Sequence, residues 1–469
     1  MSPGAGRSAL RRKLAALASV VLAGALVLPA AGVPAFAAEP IVVEPRRAGV
    51  EYSVEHVPGP GGGQLYVVTN DGAEEFRLMR APVSRPGRAQ WTEALAEDPA
   101  VRLLAADAFA GYLVLTVRTG GSPVLRVLDL ATGGIGDETA GVEARSIGLD
   151  VNEEYDTDSV TVRVESLVEA PSWWAVRLSD GRRTLLKPDQ VPGYDPRRYV
   201  TGRVTATAAD GTGVPVTVAR RAGVAVDGSA PALLHGYGAY ESCEDPSFDP
   251  ALPSLLDRGV VYAVAHVRGG GEGGRRWWQQ GRLRRKPTTF SDYLAAADML
   301  ADEGWAAGDR IATRGLSAGG LLQGAVFSDR PERWRAVVAE VPFVDCVTTM
   351  LDPSIPLTVN EWDEWGDPRD AEDYACLASY APYENVPAGP RPDLLVTASL
   401  HDPRVLVHEP AKWVARLRAT RSDESRLLFR PELGDAAHTG PSGRYERLRY
   451  EAEILAFLLE ALDVGHGHP

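Results

Sequence analysis

The chain has 469 residues, enough for two domains with cores of their own. Its 45% hydrophobic and 24% charged residues belong to an ordinary globular protein and exclude a disordered or fibrous one. A formal net charge of -14 argues against nucleic acid and anionic membrane surfaces as partners, and is compatible with cationic peptides.

Residues 1–38 read as an export signal. Arg7, Arg11, Arg12 and Lys13 make a basic start, Leu14 to Leu28 an apolar stretch, and Ala35-Phe36-Ala37 a small-residue cleavage site. The apolar stretch is about 15 residues, too short to span a bilayer comfortably. Arg11-Arg12 suggests twin-arginine export of a folded protein. The expectation is therefore a secreted or exported protein, or a cytoplasmic one if the leader is not functional. No later segment is apolar for long enough to predict a transmembrane helix.

From about Glu51 to Lys187 short alternating runs are separated by turns. Gln64 to Thr69 precedes Asn70-Asp71-Gly72, and Tyr112 to Val117, Val124 to Asp129 and Trp174 to Leu178 continue the series. Strands punctuated in this way predict an all-β region. A spacing of about 40 to 50 residues per group fits propeller blades, with room for three or four over 39–200. A closed propeller of that size would stand at or below the usual range.

After about Val200 apolar strands alternate with helical segments, which predicts a doubly wound α/β domain over 201–469. Pro231 to His235 and Val260 to Ala265 read as buried parallel strands, Phe290 to Ala301 as an amphipathic helix, and Gly443 to Leu462 as a terminal helix.

Within this domain Gly315-Leu316-Ser317-Ala318-Gly319 lies between the strand-like Arg310 to Thr313 and the helix-like Gly320 to Phe327. Gly-x-Ser-x-Gly between a strand and a helix is a nucleophile elbow, whose sharp turn lifts the serine hydroxyl above the sheet. Asp402 and His438 follow in the order this arrangement requires, each in a loop after an apolar strand. A serine needs an imidazole to take its proton, and the imidazole needs a carboxylate to fix its tautomer. Ser317, Asp402 and His438 are accordingly the candidate triad.

Three widely spaced cysteines, Cys243, Cys346 and Cys376, make no metal pattern or disulfide framework. Cys346 reads as a small buried residue, and a Cys243–Cys376 bridge is left open. The glycine-rich Arg268 to Gly274 lacks the Lys-Ser/Thr of a phosphate-binding loop. No metal or cofactor is expected.

Longer words carry a family resemblance. His266 to Glu272 followed by Trp277, Val341 to Asp352, Ser354 to Thr358, Glu409 to Trp413 and Ser442 to Tyr445 resemble the prolyl oligopeptidase family, in particular its oligopeptidase B branch. The similarity runs from about Glu44 onward. It implies an α/β-hydrolase domain capped by a β-propeller, cleaving short peptides after Lys or Arg without a cofactor. By the same match Ser317 is the nucleophile, Asp402 the orienting acid and His438 the base. The Tyr237 hydroxyl and the Ala318 N–H would form the oxyanion hole. Glu361 and Asp363 would hold the basic side chain of the substrate. Asp245 matches one acidic position of the next pocket, with Ser247 where a second acid is expected. Arg404 resembles an arginine of the proline-specific branch that contacts a peptide carbonyl.

The resemblance breaks in front. Oligopeptidase B has an N-terminal extension and seven blades, whereas here three or four blades follow an export signal. That leaves closure and size filtering open, and exposed β edges invite self-association. Competing readings are a proline-specific peptidase or an esterase on the same scaffold, and a non-catalytic remnant. The acidic residues around Glu361 speak against the first, since proline wants an apolar pocket. The intact triad speaks against decay.

Overall fold

The structure is a computed structural model and describes residues 41–138, 141 and 144–465. The segment expected to be an export signal lies outside these residues. Twelve strands make three four-stranded antiparallel sheets, each pairing its strands in chain order. The first holds β1 (Tyr52–Val57), β2 (Gln64–Thr69), β3 (Arg77–Pro82) and β4 (Thr92–Leu95). The second holds β5 (Val101–Phe109), β6 (Tyr112–Thr119), β7 (Ser122–Asp129) and β8 (Ile135–Glu138). The third holds β9 (Arg145–Leu149), β10 (Ser159–Ser166), β11 (Ser172–Arg177) and β12 (Arg183–Pro188).

Side-chain alternation decides how these sheets stack. On β6, Leu113, Leu115 and Val117 point into a core shared with Tyr66, Val68 and Leu78 of the first sheet. Val114 points the other way, into a core with Ile147, Val160 and Val162 of the third. A period of two thus buries the middle sheet on both faces. The β6–β7 hairpin turns through Gly120 and Gly121, at φ 56° and 76°, with Thr119 paired to Ser122. A two-residue turn of this kind needs positive φ at both central positions, which glycine adopts without strain.

The rest of the chain builds an eight-stranded sheet from β13 (Tyr199–Thr207), β14 (Gly213–Arg221), β15 (Ala232–His235), β16 (Val261–Ala265), β17 (Ile311–Leu316), β18 (Ala336–Glu340), β19 (Asp393–Ser399) and β20 (Leu427–Glu432). Their order is β13-β14-β16-β15-β17-β18-β19-β20, antiparallel around β14 and parallel from β16 to β20. Helices in chain order are α1 (Pro253–Leu256), α2 (Arg275–Gln279), α3 (Pro287–Asp302), α4 (Ala318–Asp329), α5 (Cys346–Leu351), α6 (Thr358–Trp365), α7 (Ala371–Tyr380), α8 (His408–Ala419) and α9 (Arg444–Ala461). A small hairpin, β21 (Ala436–Ala437) with β22 (Gly440–Pro441), precedes α9.

The central strands are apolar on both faces because helices cover both. Val337, Ala339, Leu394 and Val396 pack with Leu300, Leu322, Val326 and Trp413 on one side. Ala336, Val338 and Leu395 pack with Leu255, Leu256, Ile454 and Leu458 on the other. The strand order reverses between β15 and β17, and at such a switch point loops beyond the strand ends diverge and leave a crevice. Among the described residues no helix is long and apolar enough to cross a membrane. Cys243, Cys346 and Cys376 are all free, so the bridge left open between Cys243 and Cys376 is not formed.

Candidate active site

Ser317 stands between β17 and α4 with φ 62° and ψ -117°, a strained conformation for a residue with a Cβ. Its surroundings hold it there. The Ser317 N–H donates to the Glu340 carbonyl at 2.8 Å, and its own carbonyl accepts from Leu321 and Phe343. A Cβ at Gly315 would meet the Gly319 carbonyl oxygen at 2.5 Å, and one at Gly320 would meet the Pro342 Cβ at 2.6 Å. Only glycine lets strand, turn and helix close this tightly. Ala318 opens α4, so its N–H has no acceptor within the helix and is available to a ligand oxygen.

Asp402 follows β19 and is buried, with its side chain fully covered. One carboxylate oxygen accepts the N–H groups of Arg404 and Val405, at 2.8 and 3.1 Å. The other accepts from His438 Nδ1 at 2.7 Å. These bonds fix the carboxylate, and the carboxylate fixes the imidazole with Nε2 as its remaining basic nitrogen. The His438 loop is tied down by the β21–β22 hairpin and by Ser399 Oγ, which donates to the Ala436 carbonyl at 2.7 Å. Among the described residues no hydrogen bond joins Ser317 to His438.

Tyr237 follows β15, across the switch point from Ser317. Burial, reinforced by the charges of Glu244, Glu364 and Glu361, pushes its hydroxyl well above the ordinary range, and Ser317 is a side-chain hydrogen-bonding neighbour. A tyrosine kept protonated in this way is a hydrogen-bond donor at the serine.

The acidic helix α6 divides the residues predicted on it. Glu361 accepts from the Tyr240 hydroxyl at 2.6 Å and from the Trp365 indole at 3.2 Å. Positions two apart on a helix do not share a face, and Asp363 is exposed, with no hydrogen-bond partner for its carboxylate among the described residues. Its main-chain carbonyl accepts from Arg282 at 3.2 Å. The structure therefore does not bring Asp363 to Glu361. The acid that shares a neighbour with Glu361 is Glu364, three positions on, which accepts the Tyr240 N–H at 3.1 Å.

Asp245 requires a correction as a free substrate contact. Both its oxygens are taken by the Arg118 guanidinium from β6, at 2.9 and 2.6 Å, and Arg118 is buried. That bidentate pair joins the second blade to the hydrolase-side loop and neutralises the charge offered to a substrate. Ser247 beside it is exposed. Arg404 lies at the surface next to Asp402, and its guanidinium makes no hydrogen bond or ion pair among the described residues.

Sequence reasoning missed Tyr240, Glu364 and the ion pairs that join blades to sheet. Tyr240 and Glu241 both have positive φ, 61° and 56°, which no local motif announces. Glu241 receives Arg102 from β5 at 2.7 Å and also Arg275. Glu75 of the first blade accepts the N–H groups of Arg275 and Arg276 at the start of α2, at 2.8 and 3.1 Å. The three-residue spacing of Glu361 and Glu364 was the available signal for the second acid.

Two family profiles match the chain. "Prolyl oligopeptidase family" covers residues 246–465, and "Prolyl oligopeptidase, N-terminal beta-propeller domain" covers 35–189. Dipeptidyl aminopeptidase BI of Pseudoxanthomonas mexicana is 42% identical over 90% of this chain and 58% of its own length. Protease 2 of Moraxella lacunata is 39% identical over 90% of this chain and 60% of its own length. Among solved structures, oligopeptidase B from Trypanosoma brucei with covalently bound antipain superposes with a TM-score of 0.86, at 35% identity over 90% of this chain and 61% of that one. The chain spans about three-fifths of the length of the relatives it matches.

Proposed function

This chain belongs to the prolyl oligopeptidase family, and from that premise we propose that it is a serine peptidase cleaving short peptides after Arg or Lys. The observations that carry the proposal are the pairing of His438 with buried Asp402 and the strained serine elbow of the same sheet. His438 Nε2 takes the Ser317 proton as Oγ attacks the scissile carbonyl. The oxyanion that forms is met by the Ala318 N–H and the Tyr237 hydroxyl. His438 then hands the proton to the leaving amine, and an acyl-enzyme remains on Ser317. Water, deprotonated by the same imidazole, releases the acid and regenerates the serine. No metal or cofactor is needed for any step.

Glu361 supports the basic preference. It is held between Tyr240 and Trp365, and a carboxylate there can pair bidentately with a guanidinium, so Arg should exceed Lys. With Asp245 already paired to Arg118, a second basic residue in the substrate should add little. Arg404 is the candidate contact for a peptide carbonyl. The exposed outer edge of the third blade is the candidate surface for self-association, with Leu185 and Leu186 uncovered on β12.

A second reading, an aminopeptidase releasing dipeptides, is favoured by the relative at 42% identity that carries that activity in its name. One experiment separates the two. The full chain is reacted with a fluorophosphonate, then assayed on Arg, Lys, Pro and Phe p-nitroanilides with free and blocked N-termini. Labelling of Ser317 with turnover of blocked Arg substrates supports the endopeptidase. Turnover of free dipeptidyl substrates alone supports the second reading. No labelling at all overturns both.

A further inference from the structure

Two ionisable side chains lie beneath the site without touching the reacting atoms. Lys286, at the start of α3, is 1% exposed and Glu364 is 4% exposed. Lysine and glutamate are almost never covered so completely unless something pairs with them. The Lys286 ammonium donates to the Gly238 carbonyl and stands 4.8 Å from the centroid of the Trp365 ring. Glu364 accepts the Tyr240 N–H at 3.1 Å and the Trp278 indole N–H at 2.6 Å. The two charges form no direct salt bridge, yet each favours the other's ionised state through the intervening protein.

Both grip the same short loop. Tyr237, beside Ser317, comes one residue before the carbonyl that Lys286 holds. Tyr240, bonded to Glu361, supplies the N–H that Glu364 holds. The loop backbone is strained at Tyr240 and Glu241, with φ 61° and 56°, two residues after a glycine at φ 72°. Strain of this kind persists only where surrounding contacts over-determine the backbone.

We propose that Lys286 and Glu364 are a buried positioning pair that clamps the 237–240 loop, keeping the Tyr237 hydroxyl at Ser317 and the Tyr240 ring at Glu361. The kinetic part rests on the acyl-transfer reading of Ser317. Because Lys286 acts next to Tyr237, its loss falls on kcat. Because Glu364 acts on Tyr240, its loss falls on KM for Arg substrates.

The clamp is pH-sensitive. The groups facing Lys286 are Glu364 from α6 and the Cys346 thiol from α5, and those facing Glu364 are Lys286, Arg282 and the hydroxyls of Tyr237, Tyr240 and Tyr380, which burial keeps protonated. Burial pulls the Lys286 ammonium down to about 8 while Glu364 opposes the fall. Burial pushes the Cys346 thiol and the Tyr237 hydroxyl well up, so neither titrates in that range. Above that pH the neutral amine holds the Gly238 carbonyl less firmly.

The test uses the full chain and the variants Lys286→Met, Lys286→Arg and Glu364→Gln. Measured are kcat and KM on a blocked dipeptidyl-Arg p-nitroanilide from acid to alkaline pH, with tryptophan fluorescence titrated alongside and circular dichroism to check folding. The wild type should lose kcat above its Lys286 midpoint. Lys286→Met should lower kcat about tenfold or more, less than losing an oxyanion donor outright, and remove the alkaline limb. Lys286→Arg should restore kcat and carry the limb out of range. Glu364→Gln should raise KM several-fold and move the limb to lower pH, because the ammonium loses its counter-charge. If Lys286→Met fails to fold, the other two variants still decide. A limb unchanged in both, or wild-type kcat in folded Lys286→Met, overturns the clamp. Fluorescence needs no turnover. A wild type that hydrolyses nothing would sink the peptidase reading, and a titration step that neither variant moves would sink the clamp separately.

Discussion

The blades and the eight-stranded sheet solve the same burial problem in different ways. Each central strand of the eight-stranded sheet is covered by helices on both faces, so Ala336 to Glu340 of β18 is buried at every position. The blades pack mainly on one another, apart from Leu167 and Val168 of the third, which join the core with Leu255 and Leu458. The middle one is covered on both sides, while β12 of the third leaves Leu185 and Leu186 exposed. Ion pairs then join the two regions: Arg118 with Asp245, Arg102 with Glu241, and Arg275 with Glu51. The proposed chemistry therefore sits where helices make the core self-sufficient, and the blades reach it through charges that end on the loop carrying Tyr237 and the segment after it.

The largest test of that division is Ser317→Ala. It should cut kcat/KM on the order of 10⁴- to 10⁶-fold, as loss of a triad member does in comparable sites, with thermal unfolding of both regions unchanged. Near-wild-type turnover would remove the chemistry from the elbow altogether.

Tyr237→Phe comes next, with an expected loss of about 10²- to 10³-fold in kcat, the usual cost of one oxyanion donor. Stopped-flow acylation is the measurement. A change confined to KM would show that Tyr237 binds substrate and does not stabilise the oxyanion.

Glu361→Gln keeps the bonds to Tyr240 and Trp365 within reach while removing the charge. Losing a charged hydrogen bond to the substrate is worth about 1.5–3 kcal/mol, so Arg-directed kcat/KM should fall roughly 10- to 100-fold. Phe substrates should be unaffected. Asp363→Asn should change either class far less, since Asp363 stands on the exposed side of α6.

Arg118→Met tests the junction itself. Breaking the charged bonds to Asp245 should lower stability by about 1–3 kcal/mol, read as a denaturant midpoint followed in the blades and in the sheet. If the blades act on the site through this junction, KM rises as well. An unaltered KM would make the junction purely structural.

The smallest effect concerns the sheet region alone. Burial pushes the Glu409 carboxyl up to about 7, against hydrogen bonds from Thr349 and the Val344 and Asp345 N–H groups. A folded value above the unfolded one, about 4.3, means that the folded chain holds this proton more tightly. The stability it contributes is present below the unfolded value and is lost as pH rises through 7. Glu409→Gln should therefore gain in Tm relative to wild type between pH 5 and pH 8. A constant difference across that range would refute the assignment.

The sequence by itself determined the parts whose signals are local. Period-two alternation in Tyr112 to Val117, the β/α rhythm after Val200 and the spacing of Gly315, Ser317 and Gly319 are all written within a few residues. So was the chain order of Ser317, Asp402 and His438, because each follows a strand of one parallel sheet. Tertiary structure alone decided where the remaining charges go. Asp245 meets Arg118 from 127 residues away, and Arg102 meets Glu241 from 139. Glu361 and Asp363 look equivalent as neighbouring acids, but a helix turns them to different sides, and only the packing of α6 against Tyr240 selects Glu361 and Glu364. A buried charge is defined by what folds over it, and no window of sequence contains both the charge and its cover.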